Sequence, residues 1–172
     1  MDQNESAEQA QIENEIAQSM RVAELLAPDE PEVVRTCREA IEDRQRLQWS
    51  GGSPWHVLLG ELGEQSVLAY FDWKDDPEQL RSGLEALSSY PALSWDWADE
   101  FLAESDGWHS GEIAAVFLEQ VGEETLGMGV ATVSLDTDGD AYAVGFIPVA
   151  RVEELLAVAP DMISIVREGV LD

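Results

Sequence analysis

From Ser82 to Ala150 the chain carries thirteen Asp and Glu residues and not one Lys or Arg. Carboxylates in such a stretch find no counter-charge among their sequence neighbours. A fold must turn them toward water, toward bases brought in from elsewhere, or toward a cationic partner, because an unpaired buried charge is strongly destabilising. The apolar residues of the same stretch must then be sorted onto the opposite faces of short elements. Charge is uneven elsewhere too. Residues 1–30 hold eight acids and one base, whereas residues 31–50 hold four of each. Over the 172 residues, 36 acids against 9 bases leave a net charge of −27.

A surplus of this size repels nucleic acid and anionic membrane surfaces and attracts basic protein. Nucleic acid and membranes are therefore excluded as expected partners. Disorder is excluded as well, since 45% of the residues are apolar and six are Trp, enough for a core. The length fits one domain. Met1-Asp2-Gln3-Asn4-Glu5 has neither the basic nor the apolar region of a secretory signal, and no apolar run approaches the ~20 residues of a membrane span. A cytoplasmic location is the expectation. The lone Cys37 cannot form an internal disulfide and falls in a helical pattern beside Val33 and Ile41, as a small buried hydrophobe does. A halophile's surface would give a similar composition; it predicts poor folding at low salt.

The periodicity predicts an α+β fold: two N-terminal helices, two antiparallel β-hairpins forming one sheet, and helices packed on it. Residues 1–50 form the helical hairpin, packed on an α+β portion from 51 to 172, in one compact unit. Ile12, Ile16, Met20, Ala23 and Leu26 recur at helical spacing up to Pro28. Asp29-Glu30-Pro31 opens a second helix through Val34, Cys37, Ile41 and Leu47, which Ser50-Gly51-Gly52-Ser53-Pro54 ends. Trp55–Leu59 and Ser66–Phe71 are predicted as the first hairpin. Asp75-Asp76-Pro77 starts a helix with Leu80, Leu84 and Leu87 on one face, and two short helices follow around Phe101 and Phe117. Val130–Leu135 and Tyr142–Val149 form the second hairpin around Asp138-Gly139, with Pro148 marking its end. Val152–Val158 and Met162–Val166 are predicted as closing helices.

No residue constellation names a reaction, and no cofactor is expected. Asp136-Thr137-Asp138-Gly139-Asp140 places carboxylates at alternate positions, which could gather ligands for a hard cation. An EF-hand loop needs Gly sixth and Glu twelfth; here Gly139 is fourth and Ile147 is twelfth. The pattern fails that test, and a hairpin turn with solvated acids is the better account of the segment, so no metal site is assigned. His56 and His109 lack the spacing of a metal pair, and no Gly-x-Ser-x-Gly elbow is present. Gly127-Met128-Gly129 lacks the rest of a dinucleotide fingerprint and leads into a strand instead.

The aromatic–acid clusters carry more. Asp72-Trp73-Lys74-Asp75 closes a predicted strand, and Trp95-Asp96-Trp97 opens a helix followed by Asp99 and Glu100. Trp can fill a partner's pocket while flanking carboxylates pair with Lys or Arg; the plainer reading, that Trp73, Trp95 and Trp97 are core residues near the ends of elements, weighs more. The candidate partner-binding residues are thus Asp72, Trp73, Asp96, Trp97, Asp99, Glu100, Glu104, Asp106, Asp136, Asp138 and Asp140, with the two Trp as anchors.

Phe71-Asp72-Trp73-Lys74, Trp97-Ala98-Asp99-Glu100-Phe101-Leu102 and Asp136-Thr137-Asp138-Gly139-Asp140-Ala141-Tyr142 together resemble an uncharacterised bacterial family of unknown function. The resemblance covers roughly residues 55–160 and leaves the two N-terminal helices outside. It implies no catalytic residue. In size and acidity such domains look like immunity-type proteins, which protect bacteria from toxins. The leading expectation is therefore a non-enzymatic cytoplasmic protein that neutralises a basic partner, such as a toxin with a cationic, phosphate-binding cleft. A nucleic-acid mimic that binds a DNA-binding protein shares these electrostatics. A metal-assisted hydrolase using Asp136, Asp138 and Asp140 is the alternative from another class. The oligomeric state stays open.

Overall fold

Two β-rich runs on either side of Asp138-Gly139 form the centre of the molecule. The computed structural model describes residues 3–171, leaving the side chains of Gln3, Asn4 and Arg44 aside. Strand β2 (Val130–Leu135) and strand β3 (Tyr142–Pro148) pair antiparallel, from Val130 opposite Pro148 to Leu135 opposite Ala143. Strand β1 (Ala69–Phe71) lines the outer side of β3, and β4 (Ile163–Ile165) lines that of β2. The sheet order is β1-β3-β2-β4, antiparallel throughout. Both central strands are buried on both faces, so helices must cover the sheet front and back.

One face carries α1 (Gln3–Leu26), α2 (Pro31–Glu42), α4 (Pro54–Glu64) and α8 (Val152–Val158). Their Val22, Ile41, Leu58 and Leu155 meet the sheet's Ala131, Val133, Ala143 and Ile147 in a largely aliphatic core. The other face carries α5 (Pro77–Glu85), α6 (Ala98–Glu104) and α7 (Ser110–Leu126). There Phe71, Phe101, Phe117 and Phe146 join Leu80, Leu84 and Leu118. Alternate strand residues feed the two cores: Val133 and Ile147 point one way, Val144 and Phe146 the other.

The α+β class is as expected, but three elements differ. Trp55–Leu59 is not a strand; it opens α4, with Ser53 accepting the His56 N–H at 3.3 Å and Pro54 in the first turn. The helix is buried nearly all round, and a short continuous apolar run looks the same in either state. The predicted first hairpin is therefore absent: β1 pairs with β3 instead. Met162–Val166 is strand β4 rather than a helix, its Ile163 and Ile165 alternating about an exposed Ser164. The second helix breaks at Asp43, whose carboxylate accepts the Gln45 N–H at 2.8 Å and so starts a separate α3 (Arg44–Trp49).

The cap of α5 follows the sequence closely. Asp76 accepts from the Gln79 N–H (2.9 Å) while the Gln79 side chain accepts from the Asp76 N–H (3.0 Å). Cys37 is fully buried, and burial, then the nearby Glu61, pushes its thiol up to about 12.

An acidic surface around Trp73

The loop between β2 and β3 is the most acidic turn of the molecule and is held from below. The Trp55 indole N–H of α4 donates to the Asp136 carbonyl at 2.8 Å, and the Asp136 N–H donates to the Met162 carbonyl at 2.8 Å. Above this base Asp136 accepts the Asp138 N–H (2.9 Å), and the Thr137 hydroxyl donates to the Ala141 carbonyl (2.8 Å). Asp138 itself takes the left-handed conformation, φ 55°, which a short polar side chain tolerates. Asp136, Asp138 and Asp140 are exposed on this frame. One Asp136 oxygen is committed to the turn, and among the described residues no three His, Cys, Asp or Glu side chains gather as a metal site.

Trp73 stands beside the loop. Together with Asp136, Asp140, Tyr142 and Leu171 it lines an open depression of about 580 Å³. The other side of its ring lies on α7, where a Cβ added to Gly111 would come within 2.6 Å of it. Trp73 thus bridges the β2–β3 loop and the start of α7. It remains 39% exposed. The Lys74 ammonium sits 4.6 Å from the ring centroid, so the indole face already holds a cation. Asp72, next to it, is exposed and accepts the Lys74 N–H at 2.9 Å.

The far wall of the depression depends on two acids that the charge count treats as surface. Glu119 is 5% exposed, and its carboxylate accepts the Leu171 N–H at 2.8 Å. Glu123, one turn on, accepts the Glu168 N–H at 3.2 Å. Between them Gly122 is obligatory, because a Cβ there would run into the Val166 carbonyl. Residues 166–171 are thereby laid along α7. Sequence spacing hints at this seat only through a small residue flanked by acids on one helical face.

The remaining candidates lie on or beside α6, apart from the hairpin loop. Asp96, Asp99, Glu100, Glu104 and Asp106 are all exposed. Asp99 and Glu100 also occupy the first turn of α6, where carboxylates complement the helix dipole. Trp97 is half-buried in a ring cluster, 5.1 Å from Phe117 and 5.6 Å from Trp95, with its N–H donated to the Ser94 carbonyl (3.0 Å). It serves packing, whereas Trp73 keeps a free edge. Trp49 at the end of α3 is more exposed still, at 77%, but lines neither region.

Among the described residues no arginine comes within ion-pair distance of these acids. Arg35 pairs with Glu32 and Glu39 on its own helix, Arg21 with Glu24 and Glu154, Arg46 with Glu61, and Arg81 with Glu85. The hydrogen bond to the buried Glu61, then the charge of that carboxylate, raises the Arg46 pKa. Among the described residues none of the nine candidate acids has a Lys or Arg partner within ion-pair distance.

Residues 18–162 match the model of a family described as a domain of unknown function, DUF6630. The chain belongs to this family. The match begins inside α1 and takes in all of α2, so α2 and the last turns of α1 fall within the family's domain and not outside it as the sequence resemblance implied. No curated protein and no solved structure matches the chain. Among the described residues no helix is long and apolar enough to cross a membrane.

Proposed function

We propose that this member of the DUF6630 family binds and neutralises a basic protein partner, and that the partner is a toxin, which makes the chain an immunity-type protein. One observation carries the reading. An exposed Trp sits on a rigid base beside carboxylates that have no basic partner of their own among the described residues. Satisfied acids add little attraction; unpaired ones project their field outward. A toxin that acts on phosphates has a cationic cleft, and such a field steers it into contact and raises the association rate by roughly 10- to 1,000-fold. Trp73 then supplies apolar contact and a face for an incoming Lys or Arg, exchanging with Lys74. No bond-making chemistry is required of this chain.

The test is co-expression with the product of the neighbouring gene, followed by association kinetics across a range of salt. A complex whose association rate falls steeply with salt, and which loses affinity on Trp73→Ala, supports the reading. A complex indifferent to salt and to Trp73 contradicts it. So does the absence of any complex with a neighbouring gene product.

A further inference from the structure

The second concave surface lies between α5 and α6 and has a different character. It is a groove of about 630 Å³ with Phe117 of α7 at its floor. Pro77 and Leu102 form apolar walls, and Leu102 is left 49% exposed. Asp76, Glu78, Glu85 and Asp99 stand around it, with Arg81 as the one cation of its lining. An exposed Leu above a core Phe, framed by acids, is not the way a purely solvated face is built.

Arg81 illustrates what the surroundings accept. Its guanidinium lies 5.1 Å from the Trp95 ring centroid and pairs with Glu85 at 2.9 Å. Glu78 and Asp99 have no such partner among the described residues. The groove therefore offers an apolar centre and uncompensated negative charge at its margins. The complementary surface has apolar side chains on one stripe and Lys or Arg on both sides. That is the pattern of a basic amphipathic helix, which sets its i, i+3, i+4 and i+7 residues into a groove between helices.

We infer that the α5–α6 groove is a docking surface for a basic amphipathic helix of a protein partner, held by Leu102 and Pro77 over a floor that rests on the buried Phe117, and by Glu78 and Asp99 at its edge. This deepens the proposed function, because it rests on the partner being a basic protein. It adds a second point of contact with its own chemistry, more apolar than the Trp73 depression, whose rim carries Asp136 and Asp140.

The probe is a leucine–lysine peptide patterned at helical period, with a peptide of the same composition in alternating order as control. Titration is followed through the Trp indole N–H signals in NMR. Trp95 and Trp97 lie against Phe117 and should shift, while Trp55, beneath the hairpin loop, should not. Leu102→Asp removes the apolar wall without removing negative charge, at a half-exposed position where folding is retained, as signal dispersion will verify. It should weaken binding about tenfold or more at every salt concentration. Glu78→Gln with Asp99→Asn should weaken it at low salt only. Equal binding by both peptides, or binding that Leu102→Asp leaves unchanged, overturns the groove. In that second case, loss of binding on neutralising Asp136, Asp138 and Asp140 leaves the proposed function standing without it. If the helically patterned peptide does not bind, the inference is overturned. Binding through the groove that is insensitive to those three residues instead removes the hairpin loop from the proposed contact surface.

Discussion

The two faces of the sheet are built from different materials. On the face covered by α1, α2, α4 and α8 the core is almost wholly aliphatic, Trp55 being its one buried aromatic, and Arg21, Arg35 and Arg46 nearby are each engaged by carboxylates. On the face covered by α5, α6 and α7 the core is aromatic, with Phe117 touching Trp95, Trp97 and Phe101. There Arg81 is paired, and the acids of α6 and the hairpin loop have no ion-pair partner among the described residues. The difference teaches where a −27 chain keeps its attraction for cations. Charge that is paired within a helix cancels at short range, as on Glu85 beside Arg81 at the edge of the base-free stretch; the other acids of that stretch have no such partner among the described residues. The net figure alone locates nothing.

The largest expected effect tests the aromatic core. Phe117 is 1% exposed, and Phe117→Ala should cost about 3–5 kcal/mol in denaturant unfolding and abolish most of the near-UV circular dichroism. Leu58→Ala, at an equally buried site on the other face, should cost about 2–5 kcal/mol and leave that signal largely intact. If Leu58→Ala erases the signal as completely, the two cores are not separable in the way described.

A smaller effect tests how α7 is joined to the sheet. The buried Thr125 hydroxyl donates to the Gly122 carbonyl (3.1 Å) and lies 2.8 Å from the Thr132 hydroxyl. Thr125→Val strands the Thr132 hydroxyl and should cost about 1–3 kcal/mol; Thr132→Val leaves Thr125 its carbonyl and should cost about 1 kcal/mol. Reversal of that order in thermal or chemical unfolding would mean that the pair is not wired this way.

The aliphatic face has its own reporter in Cys37. Its thiol is raised from 9.0 to about 12 by burial, so the folded state favours the protonated form. The sign follows: this contribution is complete below pH 9 and is lost as pH rises from 9 toward 12, while the thiol ionises only in the unfolded chain. Native protein should resist alkylation at mildly alkaline pH, and labelling should speed up only as denaturant opens the α1–α2–α4 face. Rapid labelling of folded protein would break that side of the comparison.

Much of this was legible before any fold was drawn. The β2–β3 hairpin announced itself through two β-rich runs about Asp138-Gly139, and α5 through Asp76-Pro77 with Gln79 in place for a capping box. The base-free stretch pointed to acids that have no ion-pair partner among the described residues, Glu85 excepted, because Arg81 just before the stretch reaches it along α5. What was hidden depends on distant residues. Trp55–Leu59 and Met162–Val166 are short apolar runs, and only tertiary burial decides helix for one and strand for the other. Trp73 and Trp97 have similar acidic neighbours in sequence. One keeps a free edge because its packing partner is Gly111, and the other is enclosed because its partner is Phe117. Glu119 and Glu123 read as surface charge until residues 166–171 fold back across Gly122.

The smallest expected change in stability belongs to the hairpin acids. Asp136→Asn, Asp138→Asn and Asp140→Asn together keep the acceptor that the Asp138 N–H needs, and each should shift stability by no more than about 0.5 kcal/mol. Their effect on binding should be large, and that contrast separates a binding surface from a folding one.

The central claim is that unpaired acids beside Trp73, and not negative charge in general, attract a basic partner. Stopped-flow association of a short oligo-arginine peptide tests it directly, comparing that triple variant with Glu32→Gln, Glu39→Gln and Glu154→Gln combined. Both variants remove three charges, but the second set already has arginine partners. The account predicts that at low salt the hairpin variant associates about tenfold more slowly and the other changes far less, with the difference vanishing at high salt. Equal slowing in both variants would contradict it.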